Sequence, residues 1–395
     1  MTARAWIEPA EPWPSAAPEV LAGPGAVHRL PQLVADLGVR RVLLICGRRS
    51  FTASGAEQML PELERLTHVE RFSDFAPNTD SADLRTALRR LEQAPADLVL
   101  GIGGGSALDL AKLLVAYEGT PPDEVVARIE QGASIPRRRT RLVLAPTTSG
   151  SGAEATHFAV VYVGETKYSI AGAALRADGI VLDPGLTTSA TPYQRATSGI
   201  DAVAQAIESL WATGATDRSR AFARRALRLL VPAIGPYVDE PASPTAAGMM
   251  AIGSHLAGRA IDISKTTAAH ALSYGLTKRF GVSHGHAVAL TLSAFLDLHA
   301  QAEPSHLQPS VDPARHAEAM ASIASLLGAE HPEGAAEAFR AMLDRTELTQ
   351  GLRAVGAEAP EDRAVLAGAV NAERLGNNPV AFDHAGLIEV LERSA

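Results

Sequence analysis

Three histidines stand close together in a stretch of small and apolar residues, and two oxygen-bearing side chains share a predicted helix upstream. The histidines are His270, His284 and His286, and the apolar pattern around them predicts two buried helices. Asp201 and Gln205 are four residues apart, so on a helix they lie on one face. An Asp/Gln pair with His270 and His284 would offer two oxygens and two nitrogens, a donor set that suits Fe(II) or Zn(II). Each histidine taken alone also fits a hydrogen-bonded core residue, and that alternative stays open.

The elements that would carry these residues fall into two regions of the chain. In the first half, predicted strands such as 40–45 and 97–102 are continuous apolar runs that alternate with predicted helices. This alternation is typical of a doubly wound α/β domain. After Pro192 the periodicity is helical, with almost no strand pattern. We therefore predict an α/β domain over residues 1–190 and an all-helical domain over residues 191–395.

A run of glycines directly follows the predicted strand 97–102: Gly103, Gly104 and Gly105, and then Ser106. Glycines let the backbone approach a phosphate group closely, and a helix beginning here would supply free N–H groups. Ser106 and Asp109 have the spacing of a capping box at the start of that helix. The run lacks the GxGxxG pattern, so an ordinary strand-to-helix turn is the alternative to phosphate binding.

A second loop, rich in small hydroxyl residues and glycine, runs from Pro146 to Glu154 after a predicted strand. Such a loop at the carboxyl end of a parallel strand is a candidate coenzyme-facing surface. Beyond it, residues 157–183 predict a β-hairpin and a return to one further strand.

The composition describes a globular protein, with 46% hydrophobic and 20% charged residues among 395. Its 36 Lys and Arg against 44 Asp and Glu give a net charge of −8, which disfavours general binding to nucleic acid or to anionic membranes. The single cysteine, Cys46, excludes an internal disulfide and fits a reducing compartment. Neither a signal peptide nor a transmembrane run is recognisable, so we expect a cytoplasmic protein.

Four motifs, taken in order, resemble the iron-dependent (group III) alcohol dehydrogenase family and its dehydroquinate-synthase-like fold. They are GGGSALDLAK from Gly103, PTTSGSGAE from Pro146, GIDA…E from Gly199, and the pair His270 and His284, fourteen residues apart. The resemblance covers the chain from about residue 20 to its end. It implies a Rossmann-like parallel-sheet domain that binds a dinucleotide, then an all-helical metal-binding and catalytic domain, in a homodimer that acts on a small aldehyde.

The resemblance also implies which side chains hold each partner. The expected coenzyme-binding residues in these loops are Asn78, Gly104, Gly105, Ser106, Thr147, Thr148, Ser151 and Lys167. The glycines and Ser106 correspond to the pyrophosphate, and the two threonines and Lys167 to the ribose and nicotinamide. The expected metal ligands are Asp201, Gln205, His270 and His284. When bound, the metal would act as a Lewis acid on an aldehyde oxygen, and the reduced nicotinamide would supply a hydride to its carbon.

Two positions depart from most of the family. Gln205 stands where most members carry histidine, which leaves three options for it: weak ligation, ligation through water, or none. Tyr274 stands one helical turn after His270, where many members carry a second histidine near the substrate. A phenol there can donate a proton, and packing within the helix is the alternative role.

These departures narrow the resemblance to the phosphonoacetaldehyde reductase branch, which makes 2-hydroxyethylphosphonate in phosphonate natural-product biosynthesis. The matching segments are DAVAQAIESLW from Asp201 and ISKTTAAHALSY from Ile263. Lys265 precedes His270 by five residues, and an ammonium group is a suitable partner for a phosphonate. A solvated lysine at a helix start is the alternative, and Arg374 is a second candidate cation.

The coenzyme preference depends on the end of the first long strand. In NAD-preferring relatives an acidic residue follows this strand, where it would bond the ribose diol and repel a 2′-phosphate. This chain has Gly47 there, followed by Arg48 and Arg49. Two guanidinium groups without the carboxylate favour NADPH, with NADH as the alternative.

Three alternatives to phosphonoacetaldehyde reduction stay open from the sequence. One is a reductase of the same family that acts on an uncharged or carboxylated small aldehyde. Another is a metal-dependent cyclase or lyase on the same fold, because a fold does not determine one function. The third is a coenzyme-binding but inactive regulator, in which the change to Gln205 has removed the metal.

Overall fold

The computed structural model describes residues 18–135, 138–240, 243–370 and 372–395. The chain divides into two compact units, Met1–Ala190 and Thr191–Ala395. The first unit contains a parallel sheet with helices, and the second is helical throughout its described residues. The predicted fold class, a Rossmann-like sheet domain followed by a helical domain, is confirmed.

Within its described residues the first unit contains eight strands, six of which form one parallel sheet. In chain order the strands are β1 Glu19–Ala22, β2 Arg41–Cys46, β3 His68–Phe72, β4 Leu98–Gly103, β5 Arg141–Pro146, β6 Phe158–Val163, β7 Thr166–Ala171 and β8 Gly179–Leu182. The sheet has the order β1-β8-β5-β4-β2-β3, and β6 and β7 pair separately as an antiparallel hairpin. Along β2, Leu43 and Ile45 enter one apolar core while Val42 and Leu44 enter another. Both faces of the sheet are therefore covered, which explains the unbroken apolar runs in its strands.

Six helices accompany these strands: α1 Leu30–Asp36, α2 Arg48–Ala53, α3 Leu60–Leu66, α4 Ser81–Gln93, α5 Gly105–Ala116 and α6 Val125–Glu130. The apolar pattern of residues 53–66 predicts one helix, but two helices cover this region. Gly55 adopts a left-handed conformation with φ 79° and ends the first segment. The first of the two segments, α2, also begins earlier, immediately after Gly47.

The predicted capping box at the start of α5 is wrong. The N-cap residue is Gly104, and no side chain caps the helix. The Ser106 hydroxyl instead accepts a hydrogen bond from the backbone N–H of Asn78 at 3.0 Å. The Asp109 carboxylate accepts one from the N–H of Val160 at 3.0 Å. Ser106 and Asp109 therefore bond to residues of other elements and do not cap α5.

The order of the strands brings two glycine-containing loops together. Strand β2 lies between β3 and β4. From β2 the chain adds β3 on one side, and then crosses over to add β4 on the other side, so the strand order switches between β2 and β4. Cys46 at the end of β2 pairs with Ile102 near the end of β4. The loops that begin at Gly47 and Gly104 therefore start side by side, at the point where open α/β sheets bind ligands.

A buried lysine holds the next loop and the hairpin. Lys112 on α5 is fully buried, and its ammonium group donates to the carbonyl of Ala153 at 2.8 Å and to the Thr156 hydroxyl at 2.9 Å. It also donates to the carbonyl of Phe158, the first residue of the hairpin. A buried ammonium must satisfy its donors, so these contacts determine the path of residues 153–158.

The second unit contains ten α-helices within its described residues. They are α7 Pro192–Trp211, α8 Asp217–Asp239, α9 Pro244–Ser264, α10 Ala268–Phe280, α11 His284–Ala300, α12 Pro313–Leu327, α13 Ala335–Arg345, α14 Pro360–Gly368, α15 Ala372–Gly376 and α16 His384–Arg393. One apolar core runs through them from Ala196 to Leu391. In the described part of the chain, no helix combines the length and apolarity needed to cross a bilayer.

Local signals explain where the helices of the site begin and end. Thr191 and Gln194 form a reciprocal capping box at the start of α7. Gly281, with φ 67°, ends α10 and allows the tight connection to α11. Periodicity predicts a helix over residues 360–372, but α14 ends at Gly368. Asn371 lies outside the described residues.

Candidate functional site

Three of the four expected metal ligands come together in the helical unit. Asp201 lies on α7, His270 on α10 and His284 at the start of α11, and their ligand atoms all lie within 4.8 Å of one another. The Nε2 atoms of His270 and His284 lie 3.3 and 4.0 Å from Oδ1 of Asp201. Ligands of a four-coordinate metal at about 2.1 Å stand roughly 3.4 Å apart, so this spacing fits one divalent ion.

The second ring nitrogen of each histidine is engaged elsewhere. Nδ1 of His270 is in hydrogen-bond contact with the Glu208 carboxylate. Nδ1 of His284 lies 3.2 Å from the hydroxyl of Ser273, which donates its own proton to the carbonyl of His270 at 2.7 Å. That hydroxyl therefore accepts from Nδ1–H of His284. Both imidazoles turn their Nε2 atoms toward Asp201, which is the orientation that metal binding through Nε2 requires.

Gln205 contacts the same carboxylate from the opposite side. Its amide nitrogen donates to Oδ2 of Asp201 at 3.1 Å, and the side chain is buried. Oδ1 of Asp201, which faces the two histidines, is a separate atom. Gln205 thus orients Asp201, whichever of the three options for metal ligation applies.

Glu208 and Ser273 had not been expected to support the site. Glu208 appeared only as the last residue of a motif, although its position seven residues after Asp201 places both on one face of α7. Ser273 lies three residues after His270, again a same-face spacing. A search for polar side chains at three, four and seven residues from each ligand would have found both.

The buried acid and the buried imidazole stabilise each other's charge. Burial alone would raise the pKa of Glu208, but the charge of His270 and hydrogen bonds from His270 and Thr267 hold this pKa below its usual value. Burial alone would lower the pKa of His270, but Glu208 and Asp201 raise it to about 9. Without a metal, both ring nitrogens of His270 are therefore protonated at neutral pH, and the ring is positively charged.

A glycine lets the two ligand-bearing helices approach. A Cβ added to Gly285 would overlap the carbonyl oxygen of Thr197 and lie 2.8 Å from Cβ of Asp201. Because Gly285 directly follows His284, this close approach of α11 to α7 brings that imidazole near Asp201.

The structure also places the remaining residues expected near the metal. The Tyr274 ring stacks on the His284 ring, with centroids 5.9 Å apart and planes 17° apart. Lys265 follows α9 and forms an ion pair with Glu373, and its side chain is 47% exposed. Arg374 lies next to that carboxylate, and its charge also lowers the pKa of Glu373, after the larger effect of Lys265.

His286 points away from the cluster. Its Nδ1 lies 3.1 Å from the Tyr193 hydroxyl, and its Nε2 lies 2.8 Å from the carbonyl of Thr349. Both ring nitrogens are therefore used to hold the start of α11 against neighbouring segments.

The expected coenzyme residues gather at the carboxyl ends of the central strands. A Cβ on Gly104 would lie 3.6 Å from Thr148, and one on Gly105 would lie 3.4 Å from Ser151. The N–H of Thr147 donates to the carbonyl of Gly103 at 2.9 Å, so the second loop lies beside the first. Asn78, with φ 63°, reaches the same place through its bond to Ser106.

Four further coenzyme candidates lie on neighbouring elements. Gly47 begins α2, and Arg48 directly after it forms an exposed ion pair with Asp74, while Arg49 is exposed. Lys167 is on β7, opposite Tyr162, and the N–H of Tyr162 donates to the carbonyl of Thr79 in the Asn78 loop.

The arrangement fits a phosphate-containing coenzyme. The glycines bring the backbone of the first loop close to Thr148 and Ser151, and the N-terminus of α5 presents backbone N–H groups there. In the same loop, the buried hydroxyl of Ser149 has no hydrogen-bond partner among the described residues. A bound molecule can supply the hydrogen-bond partner that such a buried hydroxyl needs.

Replacement of Gly285 tests the close approach of α7 and α11. Gly285→Ala should separate the helices and lower Zn²⁺ affinity at least about tenfold, since overpacking of this kind costs roughly 1–3 kcal/mol. Affinity is measured by competition with a chelator. Gly235→Ala in α8 is the matched control, because its Cβ would meet nothing within 4 Å. Equal Zn²⁺ affinity in the two variants would contradict this role of Gly285.

The raised pKa of His270 predicts opposite pH dependences for stability and metal binding. Protonation of His270 stabilises the metal-free protein below its ordinary pKa of 6.5, and this stability is lost as pH rises through about 9. Zn²⁺ must displace the proton, so its affinity should rise about tenfold per pH unit from pH 7 to pH 9. Zn²⁺ titration in weak buffer should release about one proton per ion at pH 7.5. Binding without proton release would show that this prediction is wrong.

Comparison with known proteins agrees with the geometry of both units. The family described as iron-containing alcohol dehydrogenase matches residues 17–184. The C-terminal part of the Fe-containing alcohol dehydrogenase family matches residues 195–395. Together these matches cover the sheet unit and the helical unit.

Individual relatives belong to the same group. Phosphonoacetaldehyde reductase of Streptomyces viridochromogenes is 33% identical over 319 residues, which is 78% of either chain. Long-chain-alcohol dehydrogenase 1 of Geobacillus thermodenitrificans is 32% identical over 274 residues, 68% of this chain and 69% of the relative. The crystal structure of sulfoacetaldehyde reductase from Bifidobacterium kashiwanohense in complex with NAD+ shares the fold, with a TM-score of 0.86 at 24% identity over 98% and 99% of the two chains.

These matches confirm the resemblance first indicated by the four motifs, and membership implies a metal and a nicotinamide coenzyme. Neither a lyase nor an inactive regulator is the type of protein that the matches describe. The chain belongs to the iron-containing alcohol dehydrogenase family and is an oxidoreductase of the alcohol dehydrogenase or aldehyde reductase type.

Proposed function

We propose that Asp201, His270 and His284 hold one divalent ion, Fe(II) or Zn(II), with Gln205 as the fourth and weakest ligand. The observation that carries this assignment is the convergence of one carboxylate and two Nε2 atoms within 4.8 Å, with both Nδ1 atoms engaged elsewhere. In this proposal the ion supplies Lewis acidity toward an aldehyde oxygen, and the reduced nicotinamide supplies the hydride. The product is a primary alcohol.

The residues of the chain have separate tasks in this reaction. The loops at Gly104 and Thr147 hold the coenzyme, and Tyr274 lies against His284, where its hydroxyl can donate a proton to the product oxygen. A phenol with an ordinary pKa of about 10 is a proton donor and not a base at neutral pH. In this proposal Tyr274 and Lys265 are the catalytic and substrate-binding side chains outside the metal ligands.

We propose phosphonoacetaldehyde as the substrate and 2-hydroxyethylphosphonate as the product. The support is the similarity to phosphonoacetaldehyde reductase over 78% of both chains, together with two cations at one place. Lys265 and Arg374 both act on the carboxylate of Glu373. A phosphonate dianion would replace that carboxylate as the partner of the cations, and charge-assisted contacts of this type are strong.

A reductase for uncharged or carboxylated small aldehydes is the second candidate function. The ion pair between Lys265 and Glu373 favours it, because an internal carboxylate already compensates the lysine. The similarity to long-chain-alcohol dehydrogenase 1 also favours an uncharged substrate.

Removal of Lys265 distinguishes the two functions. If Lys265 binds the phosphonate, Lys265→Ala should lower kcat/KM for phosphonoacetaldehyde by about 30-fold or more, because loss of a cation from a dianion costs roughly 2–5 kcal/mol. The same variant should leave kcat/KM for propanal within about twofold. Steady-state NADPH consumption gives both values, with succinic semialdehyde as the carboxylated comparison.

The matched control is Lys278→Ala, which removes an exposed lysine from α10. Lys278→Ala should leave kcat/KM unchanged for all three substrates. An equal loss on phosphonoacetaldehyde and propanal in Lys265→Ala would make Lys265 structural. A wild-type preference for propanal would replace the phosphonate function by the second candidate.

We propose NADPH as the preferred coenzyme, with NADH as a poorer one. Arg48 and Arg49 follow Gly47 at the end of β2, where no carboxylate of that strand can repel a 2′-phosphate. Asp74 pairs with Arg48 from the end of the neighbouring strand, so the phosphate would compete with Asp74 for this cation.

The coenzyme preference can be measured directly. The wild type should favour NADPH by at least about tenfold in kcat/KM, a difference of roughly 1.4 kcal/mol. Arg48→Ala should reduce the preference, and Asp74→Ala should increase it by freeing Arg48 from its acidic partner. Equal kcat/KM for the two coenzymes in the wild type would contradict the proposal.

We extend the proposal to a homodimer in the cytoplasm. Family membership supports the dimer, and the single cysteine supports a reducing compartment. Cys46 is buried in the sheet unit, and burial raises the pKa of its thiol.

A further inference from the structure

The Glu208 side chain has no exposed surface and accepts hydrogen bonds from a single short segment. Its Oε1 atom accepts from the N–H of Thr267 at 3.2 Å, the hydroxyl of Thr267 at 2.7 Å and the N–H of His270 at 3.3 Å. Its Oε2 atom accepts from Nδ1 of His270. Both oxygens of one carboxylate are therefore used, by four donors.

The Oε1 atom replaces the usual cap of helix α10. Thr267 is the N-cap residue, but its side chain makes no capping hydrogen bond within its own helix. The Thr267 hydroxyl instead donates to Glu208 and lies 3.0 Å from the indole Nε1 of Trp211, from which it accepts. Two N–H groups at the helix start are thus satisfied by a carboxylate from α7.

The Oε2 atom determines the orientation of the His270 ring. Glu208 meets only donors from residues 267–270, so Nδ1–H of His270 is the group that faces Oε2. The Nε2 atom, 3.3 Å from Oδ1 of Asp201, is then the nitrogen that has to bind a metal.

We propose that Glu208 is a positioning residue for the metal: one carboxylate places both the backbone that carries His270 and the imidazole ring itself. This inference rests on the metal site proposed above. It explains why the acid lies on α7, the helix that also carries Asp201, since the carboxylate then sets one ligand relative to the other across two helices.

The inference requires two acceptor oxygens, and glutamine has only one. In Glu208→Gln the amide nitrogen must face either the donors at the helix start or Nδ1–H of His270. The first orientation leaves the N-terminus of α10 without its cap. The second leaves the ring without its acceptor or reverses its tautomer, which puts a proton on Nε2.

The test compares Glu208→Gln with Thr267→Val. Thr267→Val removes a donor from Oε1 and an acceptor from Trp211, but it does not touch the contact with Nδ1. Zn²⁺ affinity is measured by chelator competition on metal-free protein, and Tm is measured without metal. In Zn²⁺-loaded protein, ¹⁵N NMR shows which nitrogen of His270 carries a proton.

Both variants should lose thermal stability. Only Glu208→Gln should also lose Zn²⁺ affinity, by about 10- to 100-fold, while Thr267→Val stays within about threefold of the wild type. The wild-type spectrum should show a proton on Nδ1 of His270 and Zn²⁺ on Nε2. This last measurement needs no variant, so it holds even if Glu208→Gln does not fold.

Three outcomes would overturn the inference. Zn²⁺ affinity in Glu208→Gln equal to that of the wild type would make Glu208 a helix cap only. Coordination of Zn²⁺ through Nδ1 of His270 would contradict the orientation directly. If the wild type binds neither Zn²⁺ nor Fe(II), the proposed metal site is wrong, and the role of Glu208 falls with it. If the wild type binds metal and Glu208→Gln binds it equally well, only the role of Glu208 is wrong.

Discussion

The helical unit depends on a charge that is fully buried. The Glu208 carboxylate is held in its ionised form by His270 and by hydrogen bonds from the residues around it. An isolated buried charge costs many kcal/mol, and loss of one partner of a buried pair costs about 3–5 kcal/mol. The carboxylate therefore makes the positions of α7 and α10 interdependent. A structure that moved one of these helices would leave either the acid or the imidazole without its partner.

The sheet unit satisfies a comparable requirement with a buried cation. Lys112 is as deeply buried as Glu208, and it donates to the carbonyl of Ala153, before the hairpin, and to that of Phe158, its first residue. In both units a charged side chain on a helix organises an irregular segment that secondary structure alone would not determine. The segment held by Glu208 includes His270, and the segment held by Lys112 begins two residues after Ser151. Loops positioned by a rigid framework commonly hold function.

Much of the fold could be predicted because its signals are local. Alternating apolar strands and helices give the sheet unit. Periodicity predicts helices over residues 81–93, 284–300 and 384–393, and α4, α11 and α16 have these bounds. The proximity of Asp201, His270 and His284 followed from the family motifs, and the same-face spacing on α7 placed Gln205 beside Asp201. Both predictions depend on the spacing of residues that are close together in the sequence.

The errors and omissions came from contacts between distant segments. The spacing of Ser106 and Asp109 indicated a capping box, yet their partners are Asn78 and Val160, which belong to other elements. The support of His270 by Glu208 joins residues 62 positions apart, and no local pattern records that contact. Spacing identifies which side chains share a face, but it does not show what the opposite element presents to them.

Lys265 shows how such distant contacts can impose a local conformation that sequence does not favour. Its backbone has φ 60° and ψ 178°, a region occupied almost only by glycine, which costs a residue with a side chain roughly 1–3 kcal/mol. The Asn377 amide donates to the carbonyl of Ser264 at 2.8 Å and to that of Thr266 at 3.0 Å, on either side of Lys265. A segment more than 100 residues away thus holds the strained residue, and Glu373 in the same segment holds its ammonium group. The position of this cation is therefore set by the C-terminal segment and not by the helix that precedes it. In the proposed function, where Lys265 binds the substrate, a change in that segment would alter substrate preference without touching a proposed metal ligand.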